Sequence, residues 1–439
     1  MNDDRLKAAY AVLGQNDPDA VTLADAMIQW VAGEDGIDAI SLSRVQRFAW
    51  YDLSVKWMTT DQHRKEVLAA GAALFDALEL DRYAAVLRSP QTLEILAAHE
   101  RSYDEGLKEF QEAFDASGIN PLDLDDFVWS DMMGIEENAA HMEVQSALEQ
   151  AIDDSRIVPG SRGWKTTAQA ITTEVLDGTH PGIPGQSFRT AIVTERIGSR
   201  LHMLDGRSPE LHTMLSDTAK RLVSPVPAPP DIDLRLEPTM WFLEYVGDGV
   251  KMTGAGYLPT AMVREASDRF GWDKGWSDDP PKKETDSREL MTHHQLLLDL
   301  RAIRHRKGIV VRTAIGSKML LDPEHTWRMI SASLAQQDWF AAVAEAYTLL
   351  LLAGENDEEA LSDRSHSLLV EYGWRSDDEP PERLDVMRAW WRVSHALVVL
   401  GGLVKGGLWP SRTITMTPFG EATLLERLRL DVTGPMRHP

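Results

Sequence analysis

A short unit that occurs three times in the second half of the chain limits most strongly what it can fold into. Residues 250–258 (VKMTGAGYL), 310–318 (VVRTAIGSK) and 414–422 (ITMTPFGEA) each run from β-favouring residues into Thr, two further residues and Gly. The pairs are Thr253/Gly256, Thr313/Gly316 and Thr417/Gly420, and an apolar or amphipathic helical run follows each. β-Branched residues favour a pleated strand. The Thr hydroxyl can cap the free amides of the next helix, and Pro418 occupies the favoured first helical position. Turn residues precede each strand: Gly247-Asp248-Gly249, Lys307-Gly308 and Gly406-Gly407. Such sequences close hairpins. The pattern predicts small two-stranded ribbons that feed into helices near 256, 316 and 420.

The rest of the chain has a helical period. Residues 43–58 place Val45, Phe48, Ala49, Leu53 and Trp57 on one stripe. A second helix follows Thr60-Asp61, with Asp61 as an acidic cap candidate. Leu107, Phe110 and Phe114 mark a third, and 135–152, 187–203 and 210–223 three more. No stretch before 223 alternates apolar and polar residues, so this part reads as all-helical. The expected fold is mostly α: an acidic helical domain over 1–223, a Pro-rich linker at 224–233 (SPVPAPPDID), a first ribbon module over 234–331, and a helical insertion with a second module over 332–439. Clustered prolines cannot continue a helix and favour extended geometry. Weaker breaks are expected at 277–283 and 377–381.

A strand followed by Met416-Thr417-Pro418-Phe419-Gly420 and a helix resembles the wing-to-last-helix junction of the winged-helix regulator superfamily. Arg312 and Ala314 depart from that pattern in the middle copy, and Leu258-Pro259 interrupts the first. The helical runs 290–305 and 387–404 stand where that family places the helix before each wing. The resemblance implies two C-terminal winged-helix-like modules, which serve DNA binding in some members and protein association in others. The runs 253–259 (TGAGYLP) and 304–311 (RHRKGIVV) also resemble a family of large actinobacterial proteins, some described as plasmid open-reading-frame-like. That likeness implies a cytoplasmic setting and no particular activity.

Charge divides the chain. Of the formal net charge of −24, residues 1–223 hold −17 and the remainder −7. Between 100 and 154 there are 16 acidic residues against only Arg101 and Lys108, a surface that repels phosphate backbones. Residues 282–318 are the exception, with nine cations and four acids. In a winged helix the helix before the wing reads the major groove and basic wing residues hold phosphates. Arg301, Arg304, Arg306, Lys307, Arg312 and Lys318 are the candidate nucleic-acid-binding residues on this reading. The alternative is a basic patch that pairs with the acidic half. Because only one segment is basic, a protein partner or homo-oligomer is favoured over DNA.

Local catalytic patterns are missing. With no Cys there is no disulfide, thiolate nucleophile or Cys-ligated metal. There is no His-Glu-x-x-His, no Gly-x-Ser-x-Gly and no P-loop lysine after 401–407 (GGLVKGG), which reads as a turn. No catalytic, cofactor or metal residue is nominated. Glu137 and His141 read as a helical side-chain pair, and His293-His294 as surface residues on the reading helix. A non-enzymatic macromolecule-binding protein is expected, the alternative being a hydrolase or transferase whose site is assembled from distant residues. No secretory signal is expected at 1–7. The most apolar stretch, 339–353, is interrupted by Glu345, so no membrane span is expected. Most tryptophans, Trp276 and Trp409 among them, read as core residues, with one of Trp390 and Trp391 exposed.

Overall fold

The computed structural model describes residues 2–33, 36–272, 281–334, 338–375, 378–407 and 412–436. Trp276, Trp409, residues 277–280 and residue 377 lie outside them. The described chain is mostly α-helical with two small antiparallel sheets. No described helix is long and apolar enough to cross a membrane. Two compact units result: Met1–Ile192 and Val193–Met436.

The first unit is built from helices started by side-chain caps. Asp17, Ser41, Ser89 and Ser102 each accept a bond from an amide of the first turn. Thr60, rather than Asp61, caps the Asp61–Ala77 helix through His63 N, and Asp61 pairs with Arg64. The 42–55 run is interrupted by a π-helical turn at Phe48–Asp52, which buries Phe48, Ala49 and Trp50 together. Trp50 Nε1 then donates to the buried Thr92 Oγ1 at 2.7 Å. A second apolar cluster forms between Ile135–Asp153 and Trp164–Asp177, around Val144, Leu148 and Ile171.

The division at 192/193 differs from the expected one at 224. Leu211, Leu215 and Leu222 of the Pro209–Leu222 helix are buried in the C-terminal core. The Pro-rich stretch is a packed strap rather than a spacer: Val226 is buried, and its amide donates to Glu426 Oε2 at 3.1 Å. Extended proline geometry presents backbone groups sideways, where a neighbouring helix can satisfy them.

The second unit repeats one order of elements. In the first copy a helix (Ile232–Val246) leads to strand β1 (Val250–Lys251), then helices Thr260–Phe270 and Arg288–Asp299, then a ribbon of β2 (Ile303–Arg306) and β3 (Ile309–Arg312). The short helix Ala314–Met319 follows. The sheet order is β1-β3-β2, all antiparallel, with Arg304 opposite Val311 and Val250 opposite Val310. In the second copy Asp338–Leu352 leads to a single bridge, Asp357 to Thr413, then Glu358–Tyr372 and Arg383–Val399, then β4 (Leu403–Gly406) paired with β5 (Thr413–Met416), then Pro418–Val432. The expected helical insertion therefore supplies the helices that precede the second ribbon.

The Thr-x-x-Gly unit has one physical basis in both ribbons. Thr313 and Thr417 accept the amides of Gly316 and Gly420 at 3.2 Å. Their own amides donate to Ala302 O (2.9 Å) and Gly402 O (3.0 Å), the residues just before each ribbon. The helix therefore starts directly against that carbonyl, and a Cβ on Gly316 or Gly420 would overlap it. The residue before it turns with positive φ in both copies, Arg301 at 54° and Gly401 at 67°. The first of the three sequence copies behaves otherwise. Its strand is β1, which pairs with β3 instead of forming a ribbon, and Thr253 closes a turn with Tyr257 while the helix starts after Pro259.

Candidate functional site

Alternation along the first ribbon separates its two faces. Ile303, His305, Val310 and Arg312 share the inner face, where Ile303 and Val310 are buried. Arg304, Arg306, Ile309, Val311 and, on β1, Lys251 share the outer face. Lys307 (φ 50°) and Gly308 (φ 76°) form the two-residue turn, the left-handed pair of a type I′ hairpin. Arg301 stands at the entry to β2, and Lys318 on the helix after β3.

Of the six basic residues singled out from sequence, five are exposed: Arg301, Arg304, Arg306, Lys307 and Lys318. None of these five, nor Lys251, forms an ion pair with an acid among the described residues. Arg312 is different. Its guanidinium donates to Leu243 O (3.1 Å) and Ser317 Oγ (3.2 Å), so it is occupied in fastening the ribbon to the module. In the second ribbon Lys405 is paired with Glu358 at 2.6 Å.

The helix before the first ribbon does not stand free. Met291, Thr292, Gln295 and Asp299 of Arg288–Asp299 form one wall of a cleft of about 880 Å³. Arg392, Val393, His395 and Ala396 of Arg383–Val399 line it too. The two helices expected to read DNA thus face each other, and Arg288 contacts His395 Nε2. A cavity of this size suits a small molecule, not a duplex.

The histidine pair on this helix is buried rather than at the surface. His293 stacks on Trp272 with centroids 5.0 Å apart, its Nδ1 bonds Glu289 O at 3.1 Å, and burial lowers its pKa to about 4. His294 Nδ1 lies 2.6 Å from Glu284 Oε1, and its Nε2 3.0 Å from His305 Nε2. Glu284 is itself buried, and its second oxygen accepts Leu258 N at 2.7 Å. A carboxylate only accepts, so His294 Nδ1 carries a proton, and when both rings are neutral His305 Nε2–H donates to His294 Nε2. Burial, then His294, lowers the His305 pKa.

No motif marks this cluster. Glu284, His294 and His305 come from a short turn, a helix and a strand, and the only signal in sequence was an unexplained density of histidines between 293 and 305. Glu137 and His141 are no ligand set: Glu137 accepts Ser130 N (2.6 Å) and Ser130 Oγ (2.8 Å), and His141 stands edge-on to Trp129. Trp391 is the exposed member of its pair, while Trp390 stacks flat on Tyr347 at 4.3 Å. Among the described residues no group of three or more His, Cys, Asp or Glu converges as a metal cage. Comparison with family models, curated proteins and solved structures finds no match to this chain.

Proposed function

We propose that this chain is a cytoplasmic, non-enzymatic macromolecule-binding protein, and that the outer face of its first ribbon docks on an acidic protein surface. One observation carries the reading. Lys251, Arg304 and Arg306 share a face around Ile309, which is 39% exposed, with Lys307 at the ribbon tip, and none has an acidic partner among the described residues. A basic rim around an apolar centre matches an acidic partner electrostatically and sterically. Base reading is disfavoured because the helix that would enter a groove lines the cleft instead. Arg304 and Arg306 also keep the β2 edge from pairing with other chains.

The same cations favour a second reading, sequence-independent contact with a phosphate backbone. Both are tested by titrating a labelled Asp/Glu-rich peptide and two unrelated DNA duplexes into the intact chain at low and high salt, beside the variant R304E/R306E/K307E. The peptide is expected to bind at low salt and to lose affinity on charge reversal, with the duplexes weaker and alike. Duplex binding would weaken with log salt at a slope of about −0.9 per phosphate contacted. Equal affinity of wild type and variant for the peptide, or no binding of either probe at low salt, overturns the docking face. Sequence-dependent duplex binding overturns the protein reading in favour of base readout.

A further inference from the structure

The cleft holds an arrangement that macromolecule docking does not use. His294 comes from the Arg288–Asp299 helix and His305 from β2, and their Nε2 atoms meet at 3.0 Å. His294 is held by Glu284, whose two oxygens are both engaged, one by His294 Nδ1 (2.6 Å) and one by the Leu258 amide (2.7 Å). A carboxylate on the far nitrogen of an imidazole is the arrangement that fixes tautomer and ring orientation in metal-binding histidines. It leaves His294 Nε2 as a lone pair aimed at His305.

Nitrogen ligands of a tetrahedral ion lie at about 2.0–2.1 Å from it and so stand about 3.3 Å apart. The imidazole pair meets that requirement by opening a few tenths of an ångström. His305 is exposed and sits on an edge strand, so its ring has room to move. Its proton passes from Nε2 to Nδ1 as the ion binds, which keeps both rings neutral. His395, the other histidine of the cleft, is occupied: its Nδ1 bonds Trp391 O at 3.1 Å and its Nε2 meets Arg288.

We propose that His294 and His305 bind a divalent transition-metal ion of the zinc class through their Nε2 atoms, with Glu284 as the positioning residue. No third protein ligand converges among the described residues. The remaining positions open to water or a donor ligand in the cleft, as in sites that bind exogenous ligands rather than in closed structural sites.

The test is a Zn²⁺ titration of the chelator-treated intact chain at pH 7.5, read by competition with a chromophoric chelator, with Co²⁺ as a spectroscopic probe. One ion per chain is expected. H305A removes an exposed ligand and should abolish the site, and E284Q should weaken it about 10- to 100-fold, the usual effect of losing such a partner. H63A, which alters a half-exposed histidine of the other unit, should change nothing. A second readout needs no variant: Zn²⁺ should protect His305 from acylation by diethyl pyrocarbonate. The proposal is overturned if wild type and H305A take up the same amount of Zn²⁺, if wild type takes up none, or if Zn²⁺ leaves His305 equally reactive.

Discussion

The junction between ribbon and helix can be tested through its glycines. In an open helix, Gly→Ala stabilises by about 0.4–1 kcal/mol, because alanine restricts the unfolded chain. Gly198, exposed in Phe188–Leu204, is such a site: a Cβ there meets nothing within 4 Å. At Gly420 an added Cβ overlaps Gly402 O and lies 2.6 Å from Gly402 C and 3.0 Å from its Cα. At Gly316 it overlaps Ala302 O and lies 2.9 Å from Arg312 Cγ. Carbon atoms pack at about 3.5–4.0 Å, so the helix must retreat by about 1 Å. Overpacking of that kind costs about 1–3 kcal/mol. The retreat also stretches the bond from the Thr313 or Thr417 amide, worth about 1 kcal/mol. G316A and G420A should therefore each destabilise by about 3 kcal/mol, a fall in Tm of about 6–12 °C for a unit of this size. G198A should raise Tm slightly. Thermal and urea unfolding of the intact chain followed by circular dichroism would measure all three. If G316A or G420A were as stable as wild type, the close approach of helix to carbonyl would be refuted.

Two further perturbations have definite signs. Thr423 Oγ1 accepts the Trp327 indole N–H at 2.9 Å in a fully buried setting, so T423V keeps the shape, orphans that donor, and should cost about 1–3 kcal/mol, read as a lower urea midpoint at unchanged slope. Burial lowers the His141 pKa from 6.5 to about 4. Its contribution is complete above pH 6.5 and lost as pH falls toward 4, because the unfolded chain then binds the proton the folded one refuses. The loss at pH 5 is about 2 kcal/mol, and the difference in unfolding free energy from urea titrations at pH 7.5 and pH 5 should shrink by that amount in H141Q.

What was legible in the sequence was local. Thr417-Pro418 encodes a cap and a helix start, and Lys307-Gly308 encodes its own turn. The helices at 135–152, 187–203 and 210–223 were each recovered to within one residue of an end, since a 3.6 period needs no knowledge of what lies opposite. What was not legible depends on partners remote in sequence. Val250-Lys251 carries the same signature as the two ribbons, yet it joins a strand sixty residues away, because Leu258-Pro259 delays its helix and leaves the strand without a hairpin mate. The strap at 224–233 has the composition of a spacer, yet burial of Val226 and bonds to Glu426 and Arg328 on later helices bind it down. His293 and His294 lie on the helix face that buries them, which no periodicity of a single histidine pair reveals.

The two ribbons differ in how their cations are paired. Several cations of the second unit are matched: Arg200 with Glu345, Arg221 with Glu421, Arg269 with Glu237, Arg328 with Glu426, Arg383 with Asp363, and Lys405 of the second ribbon with Glu358. In a chain with 69 acidic and 45 basic side chains, acids are plentiful enough to pair every cation. The first ribbon nonetheless keeps Lys251, Arg304, Arg306 and Lys307 free of acids among the described residues. An exposed ion pair contributes at most about 1 kcal/mol, so stability alone exerts little pressure to fill these places or to keep them empty. Fold stability therefore does not account for the unpaired cluster on this face, and the docking proposed above is what it would serve. Because Arg288–Asp299 and Arg383–Val399 line a common cleft, the outer ribbon face and not these helices is the exposed surface on which the proposed docking rests.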